Sequence, residues 1–153
     1  MGSRSLFDLC PQTADKAVRL LAKCRAMGLE LVVTDTYRSF AEQDALYRKG
    51  RTAPGRVVTN ARAGQSFHNV RRALDVAFKD ASQAVTWEGD WDAVGQLGVQ
   101  CGLFWGGNFQ SFKDRPHFED RFCGRCGGDH VKAMSFEEDG SCSLREASPL
   151  GDE

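Results

Sequence analysis

Residues 66–75 read S-F-H-N-V-R-R-A-L-D, and this stretch combines part of a predicted strand with two possible metal ligands. The final residues belong to an apolar run, Leu74 to Phe78, that predicts a short buried strand. His68 and Asp75 are both metal-ligand types, but seven residues span about 10.5 Å in a helix and more than roughly 20 Å in a strand. Ligands of one ion must lie about 2 Å from it. The segment between them must therefore bend if both residues bind the same ion.

A second stretch reads K-D-R-P-H-F-E at positions 113–119 and contains His117, with Asp114 three residues before it. Two histidines and one carboxylate form a typical ligand set for catalytic zinc, because three protein ligands leave one coordination position open. On spacing alone the alternative stays open. A histidine and an aspartate seven residues apart often occur by chance, and each histidine also fits a half-buried strand position beside a phenylalanine.

The remaining signals up to residue 120 predict an α+β fold with the long helices early and the sheet assembled late. Helix starts are indicated by Thr13, by the S-x-x-E capping box of Ser39 and Glu42, and by Asp90. Residues 51–65 are rich in Gly, Pro and Asn and predict a surface loop. The predicted helices cover residues 14–24, 40–49 and 91–101, and the predicted strands cover 29–35, 74–78, 103–105 and 117–119.

Composition predicts one soluble globular domain: 153 residues, 41% hydrophobic, with a formal net charge of -1. This balance gives no general electrostatic case for nucleic acid or an anionic membrane. No apolar stretch approaches the ~20 residues needed to cross a bilayer. Asp8 interrupts the first residues where a secretory signal needs an apolar run, so we expect synthesis and folding in the cytoplasm, with cysteines as thiols or metal ligands.

The chain changes character near residue 120. Residues 121–153 contain four basic and seven acidic side chains and few large apolar ones, which predicts an acidic tail after a domain of residues 1–120. Cys123, Cys126, His130 and Cys142 could form a closed structural zinc site in this tail. A flexible tail with unpaired thiols, and a Cys123–Cys126 disulfide after release into an oxidising compartment, are the alternatives.

Short motifs then follow one another in a single order along the chain. They are T-D-T-Y-R-S at 34–39, Gln43, L-Y at 46–47, G-R at 50–51, V-T-N at 58–60, S-x-H at 66–68, A-x-D at 73–75, W-G-G at 105–107 and D-x-P-H-F-E at 114–119. This series resembles the zinc D-alanyl-D-alanine carboxypeptidase superfamily, and most closely its L-alanyl-D-glutamate endopeptidase branch, which includes many phage endolysins. The resemblance covers about residues 5–120. It implies a small antiparallel sheet that carries the zinc site, flanked by N-terminal helices, as in hedgehog-like folds.

The resemblance also implies roles for individual residues. His68, Asp75 and His117 become the ligands of one catalytic zinc ion, and Asp114 becomes the general base. Arg38 would bind a substrate carboxylate or stabilise the developing oxyanion, which suits a permanently charged guanidinium.

Three further residues match motif positions that could position substrate. For Ser66 and Gln43 the alternative is capping and loop hydrogen bonds, and for Trp105 it is core packing.

One position departs from the pattern, since many relatives have glycine where this chain has Arg71. A glycine there permits a positive φ, which an arginine adopts only at a cost. Arg71 or Arg72 could also add a second cation beside the cleft, the alternative being a solvated surface charge.

The resulting expectation is a monomeric zinc peptidase that cleaves peptidoglycan stem peptides between L-alanine and D-glutamate. As a phage-type endolysin, it would wait in the host bacterial cytoplasm and reach the wall once other proteins open the membrane. The alternatives are a D-alanyl-D-alanine carboxypeptidase or dipeptidase, and a non-catalytic binding module that retains the zinc fold.

Overall fold

A computed structural model describes residues 2–122, which form three α-helices and one small five-stranded sheet. Single 3-10 turns lie at Leu6–Asp8, Phe67–Val70 and Gly106–Asn108. The helices are α1 (Pro11–Ala26), α2 (Phe40–Arg48) and α3 (Trp91–Gln100), and the strands are β1 (Leu31–Asp35), β2 (Ala73–Lys79), β3 (Val85–Thr86), β4 (Phe104–Trp105) and β5 (His117–Glu119). The predicted α+β class is confirmed.

The sheet is antiparallel, with strand order β1-β2-β5-β4, and β3 pairs with the last two residues of β2. Its register brings three polar residues side by side, since Asp75 of β2 pairs with Asp35 of β1 on one side and with His117 of β5 on the other. Directly opposite residues of antiparallel strands project from the same face at close range. The sheet therefore places two predicted ligands next to each other.

The hydrophobic core fills the opposite face of the sheet. Leu74 and Val76 flank Asp75 in β2 and are fully buried against α1 and α3. Gly98 lets α3 approach closely, because a Cβ atom there would overlap the ring of the buried Phe118. This glycine, which weakens the helix by propensity, is thus explained by packing.

The predicted N-terminal caps are confirmed for two of the three helices. Ser39 and Glu42 form both hydrogen bonds of the capping box, and the Asp90 side chain accepts from the backbone N–H of Ala93. The predicted cap Thr13 is wrong, because α1 begins at Pro11, two residues earlier. Proline favours the first position of a helix, where its missing N–H leaves no bond unmade.

Thr13 serves a tertiary contact instead. Its hydroxyl donates to Asp120 Oδ2 at 2.9 Å, and Lys16 Nζ lies 2.7 Å from Asp120 Oδ1. These bonds link Asp120, the residue that follows β5, to α1.

The predicted bend between His68 and Asp75 is confirmed. After the 3-10 turn, Arg71 adopts a left-handed conformation with φ 61°, a region that glycine enters more easily. The Arg71 side chain turns towards the N-terminal segment, where Nη1 donates to the carbonyl of Asp8 at 3.1 Å and the guanidinium lies 4.0 Å from the Tyr37 ring centre.

The expectation of a second cation at the cleft is therefore wrong for Arg71, and it is also wrong for Arg72. The latter is 1% exposed, with its guanidinium 5.5 Å from the ring centre of Phe67.

No helix within residues 2–122 is long and apolar enough to cross a bilayer. The four tail residues suggested as a second zinc site, Cys123, Cys126, His130 and Cys142, lie outside the described residues.

Candidate active site

Three side chains converge at the face of the sheet that the core leaves open. His68 comes from the 3-10 turn, Asp75 from the middle of β2 and His117 from the facing position of β5. Asp75 Oδ1 lies 3.2 Å from His68 Nε2 and 3.0 Å from His117 Nδ1. One nitrogen or oxygen atom from each residue falls within 4.8 Å of the others, so the three could hold one metal ion.

The far nitrogen of each imidazole is held by an oxygen atom. His68 Nδ1 lies 2.6 Å from the carbonyl oxygen of Thr36, and His117 Nε2 lies 2.9 Å from Glu119 Oε1. These oxygens only accept, so in a neutral ring each far nitrogen carries the proton. The lone pairs of His68 Nε2 and His117 Nδ1 then point towards Asp75, which is the arrangement that metal-binding histidines use.

The charges of Asp75, His117 and Glu119 shift one another's protonation in the metal-free protein. Burial raises the pKa of Asp75, but the facing imidazoles of His68 and His117 outweigh it and hold this pKa well below its usual range. Burial lowers the pKa of His117, but hydrogen bonds and charge interactions with Asp75 and Glu119 raise it to about 10. The cluster thus favours a positive charge among its carboxylates, which a bound cation would supply.

A cleft of about 560 Å³ opens over the three side chains. Its lining includes two segments of the chain, residues 58–61 and residues 109–112. Asp114 lines the same cleft, and burial together with the negative charge of Asp75 raises its pKa.

A tight turn places Asp114 beside His117. The Asp114 N–H donates to the carbonyl of Gly106 at 2.9 Å, and the Asp114 carbonyl accepts from the His117 N–H at 3.2 Å. A Cβ atom on Gly106 would overlap the Asp114 carbonyl oxygen, so the turn requires glycine at this position.

Arg38 also lines the cleft, but its guanidinium is held by protein groups. Nη1 donates to Gln43 Oε1 at 2.9 Å, Nη2 is paired with Asp35, and Nη2 lies 3.9 Å from Asp75 Oδ2. Gln43 is fully buried and donates from Nε2 to the carbonyl of Ala61 at 2.8 Å. Gln43 thus joins Arg38 to the cleft wall and makes no direct approach to the cleft.

The other two suggested positioning residues differ in placement. Ser66 lines the cleft, and its hydroxyl accepts from the His68 N–H at 3.2 Å, so it caps the turn that carries His68. Trp105 is absent from the cleft lining. Its indole N–H donates to the carbonyl of Arg115 at 2.8 Å, and its ring packs in the core against Gly95.

Several residues of the site escaped the sequence analysis. Glu119 could have been found, because alternation in a strand puts residues 117 and 119 on one face. The Thr36 carbonyl and Asp35 belong to the T-D-T-Y-R-S motif, although nothing in the motif reveals their partners. Phe109, whose ring centre lies 5.8 Å from that of His117, has no signal in the sequence.

The chain is similar in sequence to known proteins. The profile of a family described as D-alanyl-D-alanine carboxypeptidase matches residues 59–120, which include all three converging side chains. Over 122 residues the chain is 38% identical to peptidoglycan L-alanyl-D-glutamate endopeptidase CwlK of Bacillus subtilis, and the alignment spans 73% of each protein. The chain belongs to the D-alanyl-D-alanine carboxypeptidase family. The predicted metallopeptidase class is confirmed by this membership together with the His-Asp-His group.

Solved structures agree with the family assignment. The L-Ala D-Glu endopeptidase ChiX of Serratia marcescens superposes with a TM-score of 0.55 at 25% identity, over 78% of this chain and 87% of that one. A vancomycin-resistance D,D-pentapeptidase VanY variant in complex with Zn(II) gives a TM-score of 0.56 at 15% identity, over 73% and 72% of the two chains. The latter likeness is one of fold.

Proposed function

We propose that this family member is a zinc-dependent peptidoglycan peptidase that hydrolyses the amide bond between L-alanine and D-glutamate in stem peptides. The observation that carries the proposal is the convergence of His68, Asp75 and His117 at the floor of an open cleft. CwlK and ChiX, whose names state this activity, support the choice of bond.

The donor set suits zinc. Two imidazole nitrogens and one carboxylate oxygen are ligands that zinc accepts, and the far nitrogens are already fixed by Thr36 and Glu119. When bound, zinc would act as a Lewis acid that polarises the scissile carbonyl and makes water more acidic.

Asp114 is the proposed general base. It lies in the cleft with no hydrogen bond or ion pair to its carboxylate from the part of the chain that the structure describes, so the carboxylate is available to a water molecule or substrate. Its raised pKa makes it a stronger base than an exposed aspartate. Asp114 would take a proton from the attacking water and later give it to the leaving amine of D-glutamate.

Arg38 would act as a fixed positive charge near the oxyanion that forms on the carbonyl oxygen. Its bonds to Gln43 and Asp35 set its orientation before substrate arrives, so little reorganisation is needed during the reaction. The same bonds occupy much of its donor capacity.

The bonds of Arg38 to Gln43 and Asp35 favour an endopeptidase over a carboxypeptidase. A carboxypeptidase needs a cation to bind the free terminal carboxylate of its substrate, and Arg38 is the one Arg or Lys residue that lines the cleft within residues 2–122.

Mass spectrometry of digested muropeptides tests the proposal. We expect products with a new amino terminus on D-glutamate, and an Asp114→Asn variant that binds zinc but loses activity by at least about 100-fold. Release of terminal D-alanine alone would establish the carboxypeptidase alternative. Equal digestion by wild type, Asp114→Asn and His68→Ala would contradict metal-dependent hydrolysis, and no digestion with retained peptidoglycan binding would establish the non-catalytic alternative.

We further propose the biological role of a phage-type endolysin, made in the host cytoplasm and acting on the wall after release. Its support is the motif resemblance to a branch that includes many endolysins. Expression in a bacterial host with and without a membrane-opening protein tests it. We expect lysis only when the membrane is opened, and lysis without that protein would contradict the role.

A further inference from the structure

One surface beside the cleft carries a concentration of positive charge that the proposed reaction does not use. Residues 45–72 contain seven of the 20 Arg and Lys residues and none of the 21 Asp and Glu residues. Five of the seven side chains are exposed, and we call them the basic rim: Arg48, Lys49, Arg51, Arg56 and Arg62. The nearly neutral total charge of the chain therefore hides a strongly positive region.

The basic rim begins at the last residue of α2 and continues into the loop that follows, and hydrogen bonds hold this loop against the cleft. Arg51 Nη1 donates to the carbonyls of Tyr47 and Thr59 at 2.6 and 3.0 Å, and Nη2 donates to Asn60 Oδ1 at 3.1 Å. Its guanidinium lies 3.9 Å from the Tyr47 ring centre, and that of Arg62 lies 5.0 Å from it. Thr59 and Asn60 line the cleft, so Arg51 links the rim directly to the cleft wall.

Three members of the rim have no structural task that would explain their charge. Arg48, Lys49 and Arg56 form no ion pair with any residue among 2–122. Arg48 and Lys49 are consecutive in the chain, and like charges without an ion-paired acidic residue cost free energy through repulsion. A negatively charged ligand would remove this cost.

We propose that the basic rim binds the carboxylates of peptidoglycan stem peptides next to the stem that occupies the cleft. This inference rests on the proposed function, because it takes peptidoglycan as the substrate. Glutamate has two carboxyl groups and a continuing peptide uses only one, so each stem retains a free carboxylate. Stems repeated along the wall form a polyanion that lies beside any scissile bond.

The expected effect is electrostatic capture at short range. The Debye length is about 8 Å at physiological ionic strength, so the rim acts on anions near the cleft and its effect weakens as salt is added. Steering of this kind changes association rates by about 10-fold to 1,000-fold.

The test compares two triple variants of the full chain that each remove three positive charges. Arg48→Gln, Lys49→Gln and Arg56→Gln alter the rim. Arg19→Gln, Lys23→Gln and Arg25→Gln serve as the control, because they alter exposed positions of α1, which packs on the sheet face opposite the cleft.

Binding is measured by sedimentation with purified sacculi stripped of attached phosphodiester polymers, in an Asp114→Asn background so that the sacculi stay intact. We expect the rim variant to bind about tenfold more weakly than the parent at low salt, with little difference at 1 M salt. The control variant should bind like the parent. Sacculi whose carboxylates have been converted to neutral amides should bind the parent as weakly as the rim variant binds untreated sacculi.

Three outcomes would overturn the proposal. Equal losses of sacculus binding in the rim and control variants would show that binding depends on the net charge of the protein and not on the basic rim. Undiminished binding to amidated sacculi would exclude carboxylates as the ligand. Binding that occurs only before the phosphodiester polymers are removed would assign the rim to those polymers instead.

Failure of the proposed function gives a different result. If the proposed function is wrong, the wild-type protein will not cleave muropeptides. The binding assay does not depend on cleavage. As a second measurement, the rim variant should lose more kcat/KM on sacculi than on a short stem peptide, which a general folding defect would not produce.

Discussion

Glu119 should control zinc affinity without touching the metal. The residue is 4% exposed, and Oε1 accepts from His117 Nε2–H at 2.9 Å while Oε2 accepts from Arg121 Nε at 2.9 Å. Removing a carboxylate that orients a metal-binding histidine costs about 10-fold to 100-fold in metal affinity. For Glu119→Ala we expect this range, which corresponds to about 1.4–2.7 kcal/mol.

Glu119→Gln should have a smaller effect. The amide oxygen can still accept from His117, so the imidazole keeps its orientation. The amide nitrogen then faces Arg121 Nε, and two donors cannot pair. Because the Arg121 side chain is 39% exposed, water can satisfy it, and we expect a loss of no more than about tenfold.

Competition with a chromophoric zinc chelator measures these affinities, and circular dichroism checks that each variant is folded. Glu88→Ala is the matched control, since Glu88 is an exposed acidic residue away from the cleft. The reasoning is refuted if folded Glu119→Ala binds zinc as tightly as Glu88→Ala.

Three other measurements test the turn at Gly106, the bend at Arg71 and the protonation of His117. Gly106→Ala should displace the carbonyl of Asp114 and lower kcat/KM by about 100-fold, and wild-type kinetics would contradict the required close approach. Arg71→Gly should be more stable than Arg71→Ala by about 1 kcal/mol in urea unfolding, because both lose the side-chain contacts but only glycine relieves φ 61°, and equal stabilities would exclude backbone strain. Because the pKa of His117 in the metal-free protein is about 10, zinc must displace a proton from His117 at neutral pH, and the affinity for zinc should rise with pH. Calorimetry in buffers of different ionisation enthalpy should detect about one proton released per zinc ion bound. Zinc binding without proton release would contradict this link between metal binding and protonation.

Local chemistry made much of the fold predictable. The Ser39 and Asp90 caps are bonds within one helical turn, so the sequence beside them contains both partners. The bend between His68 and Asp75 follows from chain dimensions once both residues are taken as ligands of one ion. The prediction of Thr13 as a helix cap is wrong for the opposite reason, because its partner Asp120 lies 107 residues away and no local pattern reveals that contact.

The same limit explains the errors around the bend. The sequence suggests Arg71 as a second cation beside the cleft, but Arg71 accepts the cost of φ 61° and its side chain contacts Asp8 and Tyr37. These partners are distant in sequence and become neighbours only after the N-terminal segment folds back. Sequence patterns identified which residues carry chemistry, whereas tertiary contacts determine how Arg38, Gln43 and Trp105 are used.

The metal-binding group and the hydrophobic core depend on one sheet register. In β2, Leu74 and Val76 point into the core while Asp75 points to the cleft, and Asp75 pairs directly with His117. A slip of one residue would exchange the faces. It would bury the Asp75 carboxylate among apolar side chains, at a cost of several kcal/mol, and expose two core residues. The interactions that stabilise the fold therefore also hold the three side chains in place, so the metal-free protein should keep the site assembled and ready to bind an ion.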